Sequence, residues 1–156
     1  MVSLRITYLQ HGWVDASLSN GSTSAQITGS YISDAIGDLV RATLRLTQGE
    51  FQAECSWLSE PGEYRWLLRT APAGVNLTIL EFDEWHPRKP DAQGQLIFLF
   101  EGTLQRWVRQ LLSEFQRLFD EFGDAGYSER WSESFTFPAT ELHELRLWLK
   151  TIPQDS

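Results

Sequence analysis

The apolar residues of this chain change period three times, from two to about 3.6, back to two and again to 3.6, and that order most limits the folds open to it. Leu4, Ile6 and Tyr8, then Val14, Ala16 and Leu18, then Thr23, Ala25 and Ile27 alternate with polar neighbours, as strands with one buried face do. Asn20-Gly21 lies between the second and third runs. It predicts a two-residue type I′ turn that sets Leu18 opposite Thr23, Ala16 opposite Ala25 and Val14 opposite Ile27. The first strand ends near His11-Gly12, where His11 reads as a turn residue. A helix follows, with Ser33 at the N-cap, Asp34 and Asp38 early, Arg41 and Arg45 late, Gly49 as the stop, and Ile36, Leu39, Val40, Thr43 and Leu46 on one face.

From Phe51 to Glu101 the period of two returns in four runs: Phe51, Ala53, Cys55, Trp57; Tyr64, Trp66, Leu68; Val75, Leu77, Ile79; and Leu96, Phe98, Phe100. Pro-Gly, Ala-Pro-Ala-Gly and a polar loop from Trp85 to Asp91 separate them, which predicts an antiparallel meander. Thr103 then caps a long helix whose apolar residues, Leu104 to Phe122, fall within an arc of about 140°, a core face rather than a coiled-coil seam. Gly123 ends it. Arg106 and Arg109 stand near its start and Asp120 and Glu121 near its end, against the helix dipole. After an irregular link from Gly126 to Trp131, Phe137-Pro138 opens a last helix bearing Leu142, Leu145, Trp148 and Leu149. Residues 1–156 therefore read as a single α+β domain: an antiparallel β-sheet of six or seven strands, hairpin plus meander, its core face covered by helices.

Charge bears on partners. The net charge is −8, and between Glu114 and Glu144 eight carboxylates face two arginines. Such a surface repels phosphate backbones and anionic lipid, which argues against nucleic-acid and membrane binding and suits a basic protein. No run of about 18 apolar residues is present, and MVSLRITYLQHGW lacks the form of a signal peptide, so a cytoplasmic location is expected. Cys55 is the only cysteine, which excludes an internal disulfide and a cysteine zinc cluster; it stands in phase with apolar neighbours, a poor setting for a nucleophile.

Glu81, Asp83 and His86 form the one cluster with metal or acid–base character, although no second histidine lies at a ligand spacing. His143-Glu144 fails the HExxH pattern because Leu147 occupies the second histidine position. No phosphate loop, dinucleotide fingerprint or nucleophile elbow is present, and no cofactor is expected. Of the seven tryptophans, Trp57, Trp66, Trp107 and Trp148 fall at core positions; Trp13, Trp85 and Trp131 fall near loops, where aromatic side chains serve as recognition anchors. Trp131, Glu129, Glu133, Asp120, Glu121, Asp124 and Trp85 are accordingly the candidate partner-binding residues.

With Ser30-Tyr-Ile-Ser-Asp-Ala-Ile-Gly-Asp-Leu, Gly62-Glu-Tyr-Arg-Trp and the helix at Phe137-Pro138, the chain resembles small bacterial α+β proteins of the toxin-immunity type. The resemblance implies a non-enzymatic protein that blocks a cationic toxin with an acidic, aromatic surface. The alternatives are a small enzyme or ligand-binding domain with a site near Glu81–His86, and a homodimeric structural subunit. In Ser59–Arg69, SEPGEYRWLLR, a turn centred on Pro61-Gly62 pairs Trp57 with Trp66 and Cys55 with Leu68, sets Glu54 opposite Arg69 and Leu58 opposite Arg65, and leaves Glu60 and Glu63 at the tip for a partner; since the type II preference of Pro-Gly splays strands, a loop of four residues or a little more is expected.

Overall fold

The computed structural model describes residues 1–153. Its elements are β1 (Ser3–Gln10), β2 (Trp13–Ser19), β3 (Ser24–Ser30), α1 (Ala35–Thr47), β4 (Gln52–Leu58), β5 (Glu63–Ala71), β6 (Gly74–Phe82), β7 (Gln95–Gly102), α2 (Leu104–Arg130) and α3 (Ala139–Lys150). This is the predicted α+β class, with all strands antiparallel to their neighbours. The seven strands, however, divide between a β1-β2-β3 sheet and a β4-β5-β6-β7 sheet. One continuous apolar core joins both sheets to the helices, running from Leu4 and Val14 through Ile36 and Val40 to Trp66, Phe98, Trp107 and Phe115.

The hairpins keep the predicted faces but not the predicted registers. Leu18 pairs with Ala25 and Ala16 with Ile27, so the β2–β3 loop is Asn20 to Thr23, two residues longer than a type I′ turn. Asn20 makes the longer loop favourable: its Oδ1 accepts from Ser22 and Thr23 N–H at 2.9 and 2.8 Å, and its Nδ2 donates to Leu99 O of β7 at 2.7 Å. The two-residue turn with both φ positive is instead His11-Gly12, at φ 55 and 76°, between the paired Gln10 and Trp13. A shift in register between Ile6 and Tyr8 reverses the phase of β1, so Leu9 enters the core and Tyr8 faces solvent. A similar shift opposite Leu80 turns Leu96 out of the core, and Phe51, before β4, is exposed as well.

Helix caps follow the same partition. Asp34, not Ser33, caps α1, its carboxylate accepting from Gly37 N–H at 3.3 Å. Thr103 caps α2 as predicted. Gly123, at φ 68°, breaks the helical backbone there, but the chain resumes as helix to Arg130 rather than forming an irregular link. Pro138 stands one position before α3, whose Leu142 and Leu145 are buried.

The largest departure concerns SEPGEYRWLLR. Cys55 pairs with Trp66 and Trp57 with Tyr64, two residues off the expected register, while Ser59–Gly62 form a loop of the expected four residues, on a cis Glu60–Pro61 peptide. Glu54 accordingly lies opposite Leu67, and Ser56 opposite Arg65. The outer face is not a solvated one. The 83–94 segment folds back across it, and Leu67, Leu80 and Phe82 form a second apolar cluster beneath. Within this cover Glu63 and Arg65 are 3% and 1% exposed. Arg65 donates through Nε to Glu63 Oε2 at 3.0 Å, through Nη2 to Glu63 Oε1 at 3.2 Å, and through Nη1 to Lys89 O and Asp91 Oδ1 at 2.8 Å each. Its guanidinium lies 4.1 Å from the Phe82 ring centroid, and Ser56 Oγ donates to Glu63 Oε2 at 2.6 Å. Thus Glu63 is a structural ion, unavailable to a partner. Removing one member of a buried pair strands the other. Glu63→Ala is expected to lower stability by about 3 kcal/mol, Glu60→Ala by no more than about 0.5, and Glu63→Leu with Arg65→Met by less than Glu63→Ala alone, as read from urea unfolding midpoints.

Candidate functional site

Four backbone or hydroxyl hydrogen bonds gather the separate turns at one end of the molecule. Gly12 N–H donates to Arg130 O at 2.9 Å and Tyr31 N–H to Gly12 O at 3.0 Å. Ser30 Oγ donates to Leu58 O at 3.1 Å, and Trp85 N–H to Pro61 O at 2.9 Å. The candidates near Glu129–Glu133 and near Glu81–His86 are thereby brought to the same end, with Glu60 joining them.

That end is acidic. Glu60, Asp83, Glu84, Glu129 and Glu133 form no ion pair within the described residues; Asp83, Glu84, Glu129 and Glu133 are exposed on irregular segments or helix termini. Two nearby cations are already engaged: Arg130 bonds Leu9 O and Gln10 Oε1 and covers the Phe122 ring at 4.4 Å, while Arg88 pairs with Glu54 at 3.0 Å. Two aromatic side chains break the acidic surface. Trp85 is half-buried, 6.0 Å from the His86 ring, in a cleft shared with Glu60, Pro61 and Glu84. Tyr31, 58% exposed, lines a second cleft with His11, Glu129 and Ser132.

Trp131 does not act as an anchor. It is 2% exposed, and its indole N–H donates to Asp34 Oδ1 at 3.0 Å, the carboxylate that also caps α1 and holds Arg41 through Oδ2 at 2.6 Å. A large aromatic ring that can reach a buried acceptor gains more from the core than from solvent. The surface aromatic beside Glu129 is Tyr31, missed in the sequence because it belongs to neither periodic run; its position at a strand-to-helix junction was the available signal. Trp148 and Trp13 are half-buried.

The acidic stretch is also smaller than its composition implies. Glu114 is 4% exposed, and Glu121 pairs with Arg117 at 2.9 Å. Asp120 is exposed and accepts from Gln116 at 2.8 Å; Asp124 is exposed just beyond the break at Gly123. All four lie along α2, outside the two clefts.

Glu81, Asp83 and His86 do not assemble as a site. Glu81 faces Tyr64, whose hydroxyl is pushed up by burial and by that carboxylate, while β6 ends before Asp83, and Asp83 and His86 point to solvent. Among the described residues no three His, Cys, Asp or Glu side chains converge as metal ligands. Cys55 is buried in the second sheet, and burial pushes its thiol far up. No protein-family model, curated protein or solved structure matches the chain.

Behind the Tyr31 cleft, the Tyr127 hydroxyl is buried without a hydrogen-bond partner, and burial, then Asp34, raises its pKa. Tyr127→Phe is therefore expected to leave stability at neutral pH unchanged or raise it by up to about 1 kcal/mol. Above the ordinary values of 9.0 for Cys55 and 10.0 for Tyr127, the unfolded chain loses protons that the folded chain keeps. Stability then falls by about 1.4 kcal/mol per pH unit for each group. Cys55→Ala with Tyr127→Phe should flatten that alkaline decline, measured by urea unfolding from pH 8 to about 11.

Proposed function

We propose that this protein is a non-enzymatic protein-binding protein of the immunity type, which blocks a cationic bacterial toxin in the cytoplasm by covering it with the acidic, aromatic end. The observation that carries the reading is the grouping of Glu60, Asp83, Glu84, Glu129 and Glu133, unpaired within the described residues, around the two aromatic clefts. Unpaired carboxylates on one end accelerate encounter with a basic surface, and aromatic side chains in clefts supply the short-range attachment. The segment bearing Trp85 is tied down before any partner arrives. Its Lys89 carbonyl and Asp91 carboxylate are bound to buried Arg65, which lowers the ordering cost of association. No helix of the described residues is long and apolar enough to cross a membrane.

The reading is tested with the product of the adjacent reading frame on the chromosome, which it expects to be a toxin with a basic domain. Titration calorimetry should show tight binding that weakens steeply with salt. Glu84→Lys with Trp85→Ala, and Glu129→Lys with Glu133→Lys, should each weaken it at least about tenfold and abolish protection of cells that express the toxin. Glu50→Lys, on the exposed stop of α1, should leave both unchanged. Equal affinity for all four proteins, or a toxin that remains active when bound, would overturn the reading.

A further inference from the structure

Of the eleven arginines, Arg5, Arg106 and Arg109 alone make no side-chain hydrogen bond or ion pair with another described residue. Two of the three stand in the opening turns of α2, beside an open groove lined by Met1, Val2, Ser3 and Gln110. There they oppose the positive end of the helix dipole, a cost of a few tenths of a kcal/mol each that no intramolecular contact offsets.

Arg106, Arg109, Ser113, Gln116 and Asp120 recur at spacings of three, four, three and four, and all five are exposed. At 100° per residue they form one stripe within about 80° of arc, opposite the face that buries Trp107, Leu111 and Phe115. Read backwards about Ser113, Arg106 falls level with Asp120 and Ser113 with Ser113, while Arg109 falls within one residue of Gln116.

We propose that α2 pairs with α2 of a second copy of this chain, antiparallel about a two-fold axis at Ser113. The arrangement removes the anomaly in the charge order. An arginine badly placed at the positive end of its own helix sits beside the negative end of an antiparallel neighbour, and Asp120 gains the reverse. Because Gly123 breaks the backbone, the negative end of the first segment lies close to Asp120. Gln116 holds Asp120 by Oδ1 and is itself held by Arg146 at 3.0 Å, which orients the carboxylate toward the second copy. Ser113, the smallest residue of the stripe, stands at the crossing, where two helices need the closest approach. The matched stripe spans 14 residues, about 21 Å. Exposed ion pairs of this kind contribute little individually and are screened by salt, so the dimer is a weak, salt-sensitive one. The surface lies on α2 away from the Trp85 and Tyr31 clefts, and the proposal does not rest on the function proposed above.

Sedimentation equilibrium of the whole chain tests it. The wild-type protein should associate to a dimer at low salt and dissociate as salt is raised. Arg106→Glu with Arg109→Glu, and separately Asp120→Arg, should each weaken self-association at least about tenfold while circular dichroism shows an unchanged fold. An equimolar mixture of the two variants should associate again, because the introduced glutamates of one variant then meet the introduced arginine of the other, and Asp120 of the first meets Arg106 of the second. A monomer at all concentrations in low salt, a dimer indifferent to both variants, or a mixture that stays monomeric would overturn the proposal.

Discussion

The indole N–H of Trp107 donates to Thr43 Oγ1 at 3.0 Å with both side chains out of contact with water, a directional tie between α2 and α1. The same ring lies 6.0 Å from Trp66, which lies 5.7 Å from Trp57, so one residue of α2 touches both α1 and the second sheet. A buried indole N–H has few acceptors, and here it has one, the hydroxyl of a residue in the middle of α1. The bond therefore specifies the register of two helices, whereas the apolar contacts around it would tolerate a slide. Trp57 and Trp66, whose N–H groups find no partner, supply area without that direction.

Once α2 is placed, it closes the edge of the first sheet. β1 pairs only with β2, and an unpaired edge invites another strand. Gln110, Glu114 and Arg117, spaced four and three apart, run along that edge: Gln110 Nε2 donates to Leu4 O at 3.5 Å, Ile6 N–H donates to Glu114 Oε2 at 2.5 Å, and Arg117 Nη2 donates to Ile6 O at 2.8 Å. Arg130 continues to Leu9 O at 3.4 Å, past the irregularity in β1. A helix thus satisfies backbone groups that a fourth strand would otherwise take. The cost of burying Glu114 is offset by its two bonds from Arg117, at 2.9 and 2.6 Å.

The periodicities of α1, α2 and the strands were legible because each reports a buried face, a local property of the chain, although the register shifts in β1 and β7 put Tyr8 and Leu96 out of phase. The registers of β2–β3 and β4–β5 were not, since shifting either by two residues preserves every face and only the loops decide between them. Asn20 decides the first through a carbonyl on β7, seventy-nine residues away. Charged residues misled most. Glu63, Arg65 and Glu114 were read as solvated because nothing local marks a charge as buried; the unbroken Trp66-Leu67-Leu68 run, apolar on both faces, was the hint that the outer side of β5 is covered. Trp131 failed for the same reason in reverse, its acceptor being ninety-seven residues earlier in the chain.

The candidate surface follows from where the arginines are used. Arg41, Arg65 and Arg117 each bind two or more carboxylates, and Arg130 closes an edge, so these four cations are held where the fold needs them. With a net charge of −8, engaging cations in this way leaves the carboxylates of the surface turns uncompensated. The acidic end is thus coupled to stability through arginines that tie its own segments, Arg65 to Asp91 and Arg130 to Leu9 O. A chain that moved one of those cations to the surface would soften its acidic field and lose a structural tie at once, which is why the charge asymmetry persists without any single residue at Glu129, Glu133 or Glu84 being required for folding.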